Sequence, residues 1–98
     1  MAFVFSKGTL EKLATKHKVN RDEVEQCFAN RTGGFLEDVR EEHKTDPATQ
    51  WFVAETNYGR LLKIIFIAKG GDLYIRSAYQ PNDEELRIYK KYGEENKS

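Results

Sequence analysis

The chain has 98 residues, enough for one domain with one core. Hydrophobic residues make up 39% and aromatics 12%, which excludes a globally disordered chain. Lys and Arg total 16 and Asp and Glu total 16, so no net charge draws in nucleic acid or an anionic membrane, and any phosphate site must come from a local cluster.

The apolar start of the chain is short and runs into Lys7, unlike a secretory signal. No stretch approaches the length of a membrane span. The lone Cys27 allows no internal disulfide, which fits the reducing cytoplasm, the expected location.

Residues 2–6 read as a short strand or an extended arm. Thr9 is placed to cap a first helix with Leu10, Leu13, Ala14 and then His17 on its inward face. Asn20 with Glu23 is a capping box for a second helix, with Val19 and Val24 as a hydrophobic staple. Val24, Cys27 and Phe28 form its apolar face, and Gly33-Gly34 ends it. Residues 35–43 are heavily charged and suit an edge strand. Residues 51–56 are aromatic and apolar. Residues 61–68 are almost continuously apolar, as in a central strand covered on both faces. Residues 73–79 alternate. Asn57-Tyr58-Gly59 and Gly70-Gly71 are turn signals that make these strands antiparallel neighbours. Asn82 with Glu85 is a second capping box, opening a last helix in which Leu86, Ile88, Tyr89 and Tyr92 are available for packing. Gly93 stops that helix, and residues 94–98 form a polar tail. The expected fold is a single α+β domain over residues 1–93: two N-terminal helices on a four-stranded twisted antiparallel sheet, with a C-terminal helix.

No cofactor or metal is called for. His17, His43 and Cys27 lack ligand spacing, and His17 reads instead as a partial cation at a helix C-terminus. There is no Gly-x-Ser-x-Gly elbow, and the glycine pairs lack the spacing of a dinucleotide or Walker loop. The remaining constellation is cationic. Arg60, Lys63 and Arg76 lie on or beside adjacent strands, Glu55 is close across a hairpin, and Arg87, Lys90 and Lys91 lie on the last helix. Such a sheet could cleave RNA without metal: a base takes the ribose 2′-hydroxyl proton and cations stabilise the charge growing on the phosphate. The same charges equally describe a solvated sheet face with cross-strand ion pairs.

The order of motifs resembles the BrnT family, the toxin halves of bacterial type II toxin–antitoxin pairs within the RelE-like ribonuclease group. The resemblance runs from Lys16-His17-Lys18-Val19 through Trp51-Phe52-Val53-Ala54-Glu55-Thr56, Gly59-Arg60-Leu61-Leu62-Lys63 and Tyr74-Ile75-Arg76-Ser77-Ala78 to the helix with Glu85 and Tyr89. It implies a ribonuclease that inhibits translation and a cognate antitoxin as partner. Carried over by position, it implies Arg60 and Arg76 as site residues, with Glu55 and Lys63 as weaker additions. Glu55 is the nearest base by layout, and His43 is the alternative, its ordinary pKa being suited to neutral pH. Lys63, Tyr79 and Arg87 are the expected RNA contacts. Tyr79 stands where the family usually carries a second Arg, and tyrosine is uncharged at neutral pH. A non-catalytic binding or regulatory module on the same scaffold is therefore the alternative reading. Relatives of this chain also carry the label ADP-ribosyl-dinitrogen-reductase hydrolase, but that chemistry rests on a larger helical fold with acidic metal clusters.

Overall fold

The computed structural model describes residues 2–38 and 47–93. Its elements run β1 (Phe3–Val4), α1 (Lys7–Lys12) continuing into a π-helical turn (Leu13–His17), α2 (Arg21–Asn30), β2 (Leu36–Glu37), β3 (Thr49–Glu55), β4 (Leu61–Lys69), β5 (Asp72–Tyr79) and α3 (Asp83–Ile88), with a closing π turn (Tyr89–Gly93). Among these residues no helix is long and apolar enough to cross a membrane.

The sheet has five strands in the order β1-β5-β4-β3-β2, so the apolar run at β4 is central, as its composition predicts. The arm at residues 2–6 becomes a fifth strand rather than an appendage. It pairs in parallel with β5, Phe3 opposite Leu73 and Val4 opposite Tyr74. The other pairings are antiparallel. The charged stretch expected over residues 35–43 does begin at an edge, as β2, and its residues 39–43, including His43, lie outside the described residues.

Side chains on a strand alternate between faces, and here the two faces meet different helices. Phe52, Leu62, Ile64 and Phe66 are buried with Leu13, Val24 and Cys27. Phe28 of α2 packs its ring 4.7 Å from Phe52 and 5.3 Å from Phe66 by centroid. The opposite face carries Trp51 and Lys63, and there Trp51 meets Tyr89 at 5.8 Å. The Cys27 thiol is fully buried and lies 3.6 Å from the Ala54 carbonyl. Burial, then the Glu23 carboxylate, push its pKa up to about 12 against an opposing pull from Arg60, so it stays a protonated packing residue.

Local chemistry explains where the helices begin and end. Both expected capping boxes are present, Asn20 with Glu23 and Asn82 with Glu85. The first helix differs from expectation: Ser6 caps it, accepting from the Thr9 N–H at 3.1 Å, because extended backbone at Ser6 brings its hydroxyl onto the first turn. Of its expected inward residues only Leu13 is buried, because the helix lies at the sheet's margin and the π turn shifts the periodicity after Lys12. Lys18 then turns left-handed at φ 56°. α2 ends at Asn30, three residues before Gly33, where a helix end was expected. The Gly33-Gly34 pair instead admits the last helix: a Cβ on Gly33 would sit 2.5 Å from the Tyr89 hydroxyl, which donates to the Gly34 carbonyl at 2.8 Å.

Candidate functional site

Lys63 sits on the α3 side of the central strand, and its ladder partner is Tyr79 of β5. Its ammonium lies 4.5 Å from the Trp51 ring centroid and 5.7 Å from that of Tyr79. Such a buried cation requires a carboxylate, and α3 supplies one. Glu85 is the third residue of its helix, where the capping box uses Oε1 to accept the Asn82 N–H at 3.0 Å. Its Oε2 is left to accept from Lys63 at 2.6 Å and from the Tyr79 hydroxyl at 3.2 Å. Burial raises the Glu85 pKa, but hydrogen bonds from Lys63 and the Asn82 N–H, the Lys63 charge and the Tyr79 hydroxyl together hold it below the ordinary value. Trp51, Lys63 and Glu85 line a cavity of about 670 Å³ whose wall also includes Glu37, Asp38 and Glu84.

His17 extends this cluster. Its ring centre lies 5.4 Å from that of Tyr79. Burial, then the charges of Lys16 and Lys12, lower its pKa, so it is a neutral imidazole at physiological pH rather than the partial cation that its helix-terminal position suggests.

Arg60 is also engaged, against the corner that leads into α2. It donates to the carbonyls of Lys18 at 2.6 Å and His17 at 3.1 Å, and to the Glu23 carboxylate at 3.0 and 3.2 Å. Position after a turn suggests freedom to move on binding, but these acceptors close the left-handed corner at Lys18 and occupy the guanidinium.

Arg76 differs from both. The β4–β5 register pairs Ile65 with Ser77 and Phe66 with Ile75, so Arg76 is the extra residue of a β-bulge. A bulge re-aims its side chain, and Arg76 is exposed with no hydrogen bond or ion pair among the described residues. Glu55 is exposed at the end of β3, opposite Leu61, and lines a separate cavity with Asn30 and Lys90. Arg87 makes an exposed pair with Glu84 at 3.9 Å.

The structure therefore brings Lys63 and Tyr79 together and adds Glu85, Trp51 and His17 to them. In the sequence Glu85 was read as a cap and as part of the last helix of the resemblance, and His17 as an inward-facing helix end, neither of them as a site residue. Their convergence depends on strand register, which no local motif encodes. Among the described residues no group of three or more His, Cys, Asp or Glu side chains converges as a metal site would require.

Taken together, a mixed sheet backed by two N-terminal helices and closed by a short C-terminal helix is the architecture of a small α+β domain. The crystal structure of the ribonuclease toxin BrnT from Brucella abortus matches it with a TM-score of 0.61 and 14% sequence identity, over 85% of this chain and 99% of that chain. The chain thus has a BrnT-like fold. No protein-family model and no curated protein matches the sequence.

Proposed function

We infer that this chain is a toxin-like, metal-independent ribonuclease, the toxin half of a type II toxin–antitoxin pair, acting in the cytoplasm and neutralised by a cognate antitoxin. The observation that supports the reading is the fold likeness, which spans 99% of a protein that is itself a ribonuclease toxin. In this reading Arg76 anchors the scissile phosphate, because it is an exposed cation of β5 that no carboxylate neutralises among the described residues. Its planar fork suits two phosphoryl oxygens and stays charged at any working pH. His17, neutral at physiological pH, takes the 2′-hydroxyl proton. The 2′-oxygen bonds to phosphorus, the bond to the 5′-oxygen breaks, and that oxygen takes a proton from water while His17 returns its own to solvent, leaving a cyclic phosphate and a 5′-hydroxyl. Lys63, Tyr79 and Arg87 contribute RNA contacts, and Arg60 shapes the corner that carries His17. Glu55 and His43 remain the alternative bases.

A non-catalytic binding module is the second reading. It is favoured by the carboxylates that already occupy Arg60 and Lys63, which remove two of the cations a phosphate would meet. Expression of wild type, Arg76→Ala and His17→Ala in cells without the antitoxin separates the two. Growth arrest and RNA degradation with wild type, lost in both variants and unaffected by EDTA with purified protein, support the ribonuclease. Intact RNA and normal growth at high levels of folded wild type overturn it in favour of the module.

A further inference from the structure

We propose that the shallow cavity between α1 and the bulge of β5 is a seat for single-stranded RNA, with phosphates held by Lys12 and Arg76 and a base stacked on Tyr74. The proposal rests on the ribonuclease reading and deepens it by naming how the substrate strand is held.

The cavity has a volume of about 670 Å³ and is lined by Ser6, Thr9, Lys12, Tyr74 and Arg76 among others, with no carboxylate in its wall. That sets it apart from the cavity of similar size beside α3, whose lining includes Glu37, Asp38, Glu84 and Glu85. In a chain with zero net charge, this cavity thus presents two cations and no carboxylate. Neither Lys12 nor Arg76 has an ion-pair partner among the described residues, so both charges are available to a ligand. The bulge supplies the geometry. It adds Arg76 to β5 where the parallel pairing with β1 has already stopped, at Val4 with Tyr74, so no described strand covers that margin. The Tyr74 side chain is 39% exposed on the same wall, a half-open aromatic face of the kind on which unpaired bases stack. A duplex hides its bases, so cations interleaved with an exposed aromatic favour a single strand. Lys12 ends α1, which continues directly into the π turn that ends at His17, the proposed base.

The test measures binding without cleavage. A fluorescein-labelled 2′-O-methyl oligouridylate, which has no 2′-hydroxyl to attack, is titrated with the full chain and followed by anisotropy. Tyr74→Ala should weaken binding about tenfold, as expected for loss of one stacked base. Lys12→Glu should also weaken it and lower the logarithmic salt slope by about 0.7 for the lost phosphate contact. Tyr58→Ala, at a 95% exposed tyrosine in the β3–β4 turn, should bind as wild type, and duplex RNA should bind worse than the single strand. Thermal melts confirm that each variant is folded. Wild-type affinity in both Lys12→Glu and Tyr74→Ala overturns the proposal, as does equal binding of duplex and single strand. The two readings fail separately. Binding that depends on Lys12 and Tyr74, without any RNA cleavage by the wild type, keeps the seat and removes the ribonuclease. Cleavage with unchanged KM in Lys12→Glu and Tyr74→Ala keeps the ribonuclease and removes the seat.

Discussion

Two capping boxes in this chain do the same second job in different surroundings. Asn20 and Glu23 open α2, and Glu23 also binds Arg60 at the entry to β4. Asn82 and Glu85 open α3, and Glu85 also binds Lys63 within β4. In each case the glutamate that completes a helix cap pins that helix to a cation in, or at the entry to, the central strand. The difference is burial. The Arg60 and Glu23 side chains are 36% and 21% exposed, whereas those of Lys63 and Glu85 are 7% and 19% exposed. A partly solvated pair is screened and loses little when broken. A buried one leaves an uncompensated charge behind. One local motif therefore carries different energetic weight according to what the sheet places beside it.

The sharpest way to break the comparison is to remove the buried partner. Glu85→Ala leaves the Lys63 ammonium without a carboxylate under Trp51 and should cost about 3 kcal/mol in chemical unfolding. The double variant Lys63→Met with Glu85→Gln should recover much of that loss, because no buried charge then remains. A single-variant loss under half a kilocalorie would show that the pair is effectively solvated.

Proton linkage tests the same pair without deleting an atom. The folded-state pKa of Glu85 is depressed, so its stabilisation is present above the ordinary carboxylate value of about 4.3 and is lost as pH falls through the folded value. His17 is depressed as well, so the folded state resists protonation and loses stability as pH drops below about 6.5. Tm should therefore fall in two stages on acidification. Glu85→Gln should flatten the lower stage only, and His17→Ala the upper only. A single stage removed by neither variant would contradict both assignments.

Arg60→Ala should have a smaller effect, about 1–2 kcal/mol, because its charge-assisted bonds to the His17 and Lys18 carbonyls are lost from a part-solvated site. Arg60→Lys should recover only part of this, since an ammonium lacks the fork that reaches two carbonyls and a carboxylate together. Equal stability of wild type and Arg60→Ala would mean that Lys18 holds its left-handed turn unaided.

Both caps were legible in the sequence, because Asn and Glu three residues apart before an apolar run are a local signal. So was the central strand, because a strand covered on both faces needs an unbroken apolar run. The bonds from the caps to β4 were not legible, since Glu23 and Arg60 are 37 residues apart and Lys63 and Glu85 are 22 apart. Pairing at that range is set by register and helix docking. The cation cluster was read as one neighbourhood, yet the fold distributes it: Arg60 to the α2 cap, Lys63 beneath α3, and Arg76 to a bulge at the sheet margin. A bulge is one extra residue in a ladder, and alternation alone does not reveal it within a strand as short as β5.

Arg76 is the control that the two caps lack, a β-strand cation with no carboxylate. Its side chain is exposed and makes no hydrogen bond or ion pair among the described residues. Removing it exposes no buried group and breaks no cap. Arg76→Ala should therefore shift stability by no more than about 0.5 kcal/mol, within the range of ordinary surface substitutions. Its chemical effect should run the other way. A preorganised donor at a phosphoryl group is worth on the order of a hundredfold or more in rate. Urea unfolding and a cleavage assay on the same preparation decide the matter. Unchanged stability with cleavage reduced at least about a hundredfold places Arg76 at the phosphate. A destabilisation comparable to that of Glu85→Ala would make it a third structural cation instead, and the distinction between bound and available charge on this sheet would fall.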